Sequence, residues 1–198
     1  GAAYQARREH GGDVRARKRK LHRPVDPGLI LHVVMRSHRA RGEWSFLHRR
    51  NRARVERLVY TYAAKSSVTV DRFANVGNHL HLLLRFKTRA GLQAFFRTTA
   101  GLIARAVTGA RKGVKVGRFW EATLYSRLVT WGREREAVFA YLSKNGLEAV
   151  GFRGARLRFM ASARGREPVV VVGRVGPNDT PEDWAFLTPE QRRVGVDR

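Results

Sequence analysis

Along the chain the apolar residues switch between a period of two and a period near 3.6, and the switches mark out the elements. "PGLILHVVMRS", Pro27 to Ser37, is an apolar, β-branched run that predicts a strand. Within Arg49–Lys65 the residues Val55, Leu58, Val59, Tyr62 and Ala63 recur at i, i+3, i+4, i+7 and i+8, one face of an amphipathic helix. Ser67–Phe73 reads as a short strand and Asn75–Phe86 as another, joined by a tight turn into a hairpin. A second helix is expected over Arg89–Val107, with Leu92, Phe95, Phe96, Thr99, Ile103, Ala106 and Val107 along one side. Thr108–Gly117 is a basic loop punctuated by glycine. Arg118–Val129 then reads as the last strand of the sheet, and Arg133–Lys144 as a third helix that stops at Asn145-Gly146. Beyond Phe152 the pattern weakens to a basic stretch and one edge strand, Pro168–Val175.

The order β-α-β-β-α-β followed by a helix predicts an α+β fold, a ferredoxin-like split βαβ arrangement. One antiparallel sheet would carry two helices on one face and leave the other face for a site. The expected organisation is a basic flexible arm over 1–26, one domain over 27–152 and a C-terminal extension over 153–198. No internal repeat is visible.

Charge narrows the function. The chain has 198 residues, 43% of them hydrophobic, which suits a packed domain. Its 40 Lys+Arg against 16 Asp+Glu leave a net charge of +24 and a pI near 11.7. An excess of that size points to a polyanionic partner, nucleic acid before any other. An anionic membrane surface is the rival partner, but no amphipathic anchor or lipidation signal supports it, and no run of 18 apolar residues could span a bilayer. No secretory h-region is apparent, so a cytoplasmic, nucleoid-associated protein is expected. With no cysteine, disulfides and thiolate metal sites are excluded, and any metal must be held by nitrogen and oxygen.

The candidate chemistry sits in "ANVGNHLHLLLRF", Ala74 to Phe86. In a strand alternate side chains share a face, so His79, His81 and Leu83 point one way and Leu80, Leu82 and Leu84 the other. Two same-face imidazoles converge on a point suited to a divalent ion bound through neutral nitrogens. A lone His-x-His is short and is more often two half-solvated side chains, so it needs support from elsewhere. Tyr141 and Asn145, four apart on the third helix, supply it by sharing a face beside the apolar Val138 and Leu142. Each alone would be a core-edge aromatic and a helix stop.

Taken together, "NHLHLLL" (Asn78–Leu84) after a helix and a short strand, and "YLSKN" (Tyr141–Asn145) downstream, resemble the signatures of HUH single-strand nucleases with one tyrosine. Phe119-Trp120 and the helix start Gly132–Glu136 also fit. The likeness is greatest to single-strand DNA transposases and the REP-associated tyrosine transposases, and it spans roughly residues 28–152. Two positions depart from the family pattern. Val76-Gly77 stands where Met-Pro is common, and Asn145-Gly146 where Asn-Pro is common.

The resemblance implies a metal-dependent nicking and joining enzyme for hairpin-containing single-stranded DNA, with Mg²⁺ or Mn²⁺ held by His79, His81 and Asn145. Tyr141 would attack phosphorus and keep the 5′-phosphate, with Tyr125 in the last strand as the alternative nucleophile. Dimers are common in that family; the residues here do not decide the assembly. Phosphate contacts are expected from Arg15, Arg17, Lys18, Arg19 and Lys20 in the arm, and from Arg36, Arg39, Arg111, Lys112, Lys115, Arg118 and Arg127. For any one arginine a solvated surface charge remains the default. Two other functions use the same sheet: a non-catalytic binding module, which needs exposed aromatics on the central strands, and a replication or conjugation initiator.

Overall fold

A computed structural model describes residues 8–12, 22–114, 116–121, 123–149, 151, 156–162 and 165–171, the last two segments by their backbone. The chain divides into two compact units, Gly1–Arg135 and Glu136–Arg198.

The first unit is built on a five-stranded sheet. Its strands are β1 (Glu9–His10), β2 (Ile30–Arg36), β3 (Val68–Asn75), β4 (His79–Phe86) and β5 (Tyr125–Val129), in the spatial order β1-β5-β2-β4-β3. Every pairing is antiparallel. Helix α1 (Arg52–Lys65) links β2 to β3, and α2 (Arg89–Thr108) links β4 to β5. With the added edge strand β1 set aside, this is the ferredoxin-like split βαβ arrangement.

Pleating explains why the sheet is two-faced. Leu31, Val33 and Met35 of β2 and Leu80, Leu82, Leu84 and Phe86 of β4 are all buried in one cluster with the helices' inner residues. Those residues are Val55, Val59 and Ala63 of α1, and Leu92, Phe95, Ile103 and Val107 of α2. Full burial of each large aliphatic contributes about 1.5–3 kcal/mol. Thr88 caps α2 through its hydroxyl, which accepts from the Gly91 N–H at 3.1 Å, and Gly109 ends the helix in the left-handed conformation at φ +72°. The start of α1 is tied down by buried Asn51, whose amide donates to the carbonyls of Glu43 and Ser45 at 2.7 and 2.8 Å.

Four sequence expectations change. Order does not begin at Pro27: Glu9–His10 pairs with β5, and Arg23 donates to Ser126 Oγ and to the Leu124 carbonyl while lying over the Phe96 ring. Among the described residues of Arg118–Val129 only Tyr125–Val129 is strand, because Phe119 and Trp120 turn inward to pack with Phe46 at ring separations of 6.0 and 5.7 Å. The third helix, α3 (Arg133–Ala149), runs through Asn145-Gly146 instead of stopping there. A glycine inside a helix costs about 1 kcal/mol, less than the roughly 1.5–3 kcal/mol from burying Leu147, which is 4% exposed. The extension holds a hairpin, β6 (Arg156–Ser162) with β7 (Gly165–Val171), so the strand expected over Pro168–Val175 begins earlier and has a partner; residues 172–175 lie outside the described residues.

The second unit comprises most of α3 and this hairpin. Among the described residues no helix is long and apolar enough to cross a membrane.

Candidate functional site

The face of the sheet opposite α1 and α2 gathers the titratable groups. Pairing places Val34 beside His81, Arg36 beside His79, His32 beside both Leu83 and Arg127, and Val34 beside Tyr125. Cross-strand partners share a face, so His79, His81, His32, Arg36, Tyr125 and Arg127 all project to this side.

The histidine pair meets as expected. The His79 and His81 rings are 4.7 Å apart, edge to face. What the sequence reading missed is His32, whose ring stacks on His81 at 5.5 Å and 13°, with its Nε2 3.2 Å from His81 Nδ1. His79 is held through its own Nδ1, 2.6 Å from the Asn78 amide oxygen. A polar residue in the apolar run "LILHVVMR" was the available signal for His32; the strand register that brings it to His81 was not.

The turn before His79 is equally determined. Gly77 has φ +88°, a conformation that β-carbons disfavour, and its carbonyl accepts from the Phe46 N–H at 2.7 Å. Asn75 closes the turn, accepting from the Gly77 N–H at 3.1 Å and donating to the Phe46 carbonyl at 2.8 Å. Glycine in the Val76-Gly77 departure is therefore what this backbone requires.

Electrostatics keeps the imidazoles neutral. Burial, reinforced by the charge of Arg127, pushes His32 down to about 4. Burial, then the neighbouring His79 and His32, pushes His81 down to about 3. Burial and Arg36 also lower His79, against an opposing pull from Glu121. Glu121 is a second group the sequence reading missed. Its N–H donates to the Arg36 carbonyl, and its carboxylate lies 3.4 Å from both Arg36 Nε and His38 Nδ1. The Phe46–Phe119–Trp120 cluster and the Ser37 hydroxyl, which donates to the Phe119 carbonyl at 2.5 Å, bring it there.

Tyr125 lies edge-on to His32 at 6.4 Å. Burial first, then a hydrogen bond and the charge of Glu9, push its phenol up to about 12. That opposes phenolate formation. Tyr141 and Asn145 lie one turn apart on α3 in the second unit; Tyr141 is 52% exposed, while Val138 and Leu142 of the same helix are buried.

The basic candidates divide. Arg15, Arg17, Lys18, Arg19, Lys20 and Lys115 lie outside the described residues. Arg36 pairs with Glu121, and Arg127 faces Glu134 at 3.7 Å. Arg39 is a structural tie: it donates to the Val116 and Arg118 carbonyls and lies over the Trp44 ring. Arg118 donates to the Trp120 carbonyl at 2.9 Å. Arg111 and Lys112 are exposed and, with Arg105, line a groove of about 630 Å³ past the C-terminal end of α2. The histidines occupy the other face of the sheet.

The donor set suits a divalent ion through two neutral imidazoles. Among the described residues no group of three or more His, Cys, Asp or Glu side chains could hold a metal.

No family model matches the chain, and no curated protein matches it. Among solved structures, one that it matches is described as "a putative transposase" from Deinococcus radiodurans, at 15% identity and a TM-score of 0.39, covering 65% of this chain and 98% of that one. At this identity and TM-score the likeness assigns neither a family nor an activity to this chain.

Proposed function

We propose that the protein is a metal-dependent single-strand DNA nicking and joining enzyme of the one-tyrosine HUH transposase type. The observation that supports it is the His79–His81 pair on the sheet face opposite α1 and α2, kept neutral and each held through Nδ1. Neutral imidazole is the form that ligates a divalent ion. His79 and His81 would hold Mg²⁺ or Mn²⁺, with Asn145 offering an amide oxygen. When bound there, such an ion polarises a scissile phosphate and offsets charge on its oxygens.

In the bond-breaking step the Tyr141 phenol releases its proton to solvent as its oxygen attacks phosphorus, the bond to the 3′ oxygen breaks, and the departing 3′ oxygen takes up a proton from solvent. The product is a 5′-phosphotyrosine and a free 3′-OH. Attack by another 3′-OH reverses the sequence and rejoins strands without a further energy source, which suits strand transfer. The charge of +24 supports a polyanionic substrate, and hairpin-containing single strands are the class the sequence resemblance implies.

The test uses hairpin-bearing single strands labelled 3′ of the cut, with Mn²⁺. A covalent adduct should appear on a denaturing gel with wild type and Tyr125→Phe, and vanish with Tyr141→Phe, His79→Ala and His81→Ala. Adduct from Tyr141→Phe but not from Tyr125→Phe would move the nucleophile to the strand tyrosine. Binding with no adduct from wild type would leave a binding module on the same sheet.

A further inference from the structure

We propose that His32 is a positioning residue for the histidine pair. Its Nε2 accepts a hydrogen bond from the Nδ1–H of His81 and so fixes His81 in the tautomer whose metal-binding lone pair is on Nε2. This rests on the reading of His79 and His81 as ligands.

The geometry supplies a template next door. Asn78 Oδ1 lies 2.6 Å from His79 Nδ1, and an amide oxygen can only accept, so the proton of neutral His79 is on Nδ1 and its lone pair on Nε2. His81 is flanked on its own strand by Leu80 and Leu82 and faces Val34 and Ala74 across the sheet. At hydrogen-bond distance of its Nδ1 lies His32, two residues from Val34 and therefore diagonal to His81 across the β2–β4 pairing, 3.2 Å away nitrogen to nitrogen.

Only one direction of this bond serves a metal. If His32 donated through Nε2–H, the proton of His81 would sit on its own Nε2 and block that nitrogen. If His81 donates, His32 carries its proton on Nδ1, and both members of the pair present Nε2 in the same protonation pattern. The near-parallel stacking at 13° and the burial of both rings, 7% and 4% exposed, also fix the orientation of the His81 ring. Acceptors that hold the second nitrogen of a ligating histidine commonly change metal affinity by 10- to 100-fold.

Two measurements test this. In metal-free protein with ¹⁵N-labelled histidine at neutral pH, long-range ¹H–¹⁵N spectra should show His81 protonated at Nδ1 and not at Nε2. The opposite tautomer overturns the proposal. The second is Mn²⁺ binding, read from the electron paramagnetic resonance of the free ion. His32→Gln keeps an acceptor oxygen at similar reach and should bind within a few-fold of wild type, whereas His32→Leu should weaken binding about 10- to 100-fold. Wild-type affinity in His32→Leu, or equal losses in both variants, would reduce His32 to packing and overturn the assignment. Should wild type take up no Mn²⁺, the ligand reading falls, while the nitrogen spectra still decide the direction of the His32–His81 bond. They also decide it if His32→Leu does not fold by circular dichroism.

Discussion

The short strand β1 makes the sharpest test of how the site face is closed at its edge. Gly11, directly after it, has φ +79°, and a Cβ there would overlap the Leu124 carbonyl oxygen, with the Leu124 carbonyl carbon 2.8 Å and the Thr123 oxygen 2.9 Å away. These are backbone atoms, so no side chain can move aside. Clearing them in Gly11→Ala takes β1 back by about an ångström, beyond hydrogen-bonding range for contacts that start near 3 Å. Besides the Glu9–His10 ladder, the bonds at risk include Gly12 N–H to the Thr123 carbonyl at 2.9 Å and Leu128 N–H to the Arg8 carbonyl at 3.0 Å. Each is worth about 1 kcal/mol, and the left-handed alanine adds another ~1–2 kcal/mol, so docking of β1 weakens by about 3 kcal/mol. Amide exchange at Gly12 and Leu128 should accelerate by about a hundredfold while the β2–β4 amides stay protected. Separating Glu9 from Tyr125 should also bring the phenol down from about 12, visible in an ultraviolet titration. Gly113→Ala, at φ +83° with nothing within 4 Å, is the control and should leave both amides unchanged. Unaltered exchange at Gly12 and Leu128 in Gly11→Ala would refute the close approach of β1 to β5.

Acid should destabilise the protein through its buried imidazoles. His32 and His81 titrate near 4 and 3 in the folded chain against about 6.5 unfolded, so between those values the unfolded state binds more protons. Stability is therefore full above about pH 6.5 and falls as pH drops toward 4, by up to ~1.4 kcal/mol per pH unit for each histidine; identical urea midpoints at pH 7 and pH 5 would contradict neutral burial. The arm should carry part of the salt dependence of single-strand affinity. Replacing Arg15, Arg17, Lys18, Arg19 and Lys20 by Gln should flatten the slope of log affinity against log salt by up to about 3.5, and an unchanged slope would show that these residues make no phosphate contacts. Substitution is the right perturbation, because deleting the arm would also remove β1 and the Arg23 tether.

The periodic elements were legible because burial imposes period directly. Leu80, Leu82 and Leu84 alternate with His79, His81 and Leu83, and the helix stripes of Val55, Val59 and Ala63 and of Leu92, Phe95 and Ile103 face the same core. What failed was structure fixed by tertiary contact. Two residues, Glu9 and His10, cannot show a period, and their pairing with Arg127 and Ser126 depends on a strand far along the chain. Phe119 and Trp120 have strand-like chemistry, yet their rings are drawn into the Phe46 cluster and the Trp120 N–H donates to the Ala100 carbonyl at 3.0 Å. The site followed the same division. His79 and His81 could be read from one strand, whereas His32 and Glu121 reach it only through register and loop path.

The basic charge and the neutral histidines belong to one electrostatic arrangement. Arg127 helps to lower His32 and Arg36 helps to lower His79, so cations that attract a polyanion also disfavour imidazolium beside them. A phosphate chain laid against Arg36 and Arg127 would cancel part of that field and draw the histidines toward protonation, the form that cannot ligate a metal. Burial, however, is the larger cause for all three rings, and a strand laid over the face covers them further rather than rehydrating them. For His81 no arginine is among the causes: burial comes first, followed by the neighbouring imidazoles of His79 and His32. The pair is thus made neutral chiefly by packing rather than by surface charge, so the ligand-competent form can persist when the basic surface is occupied.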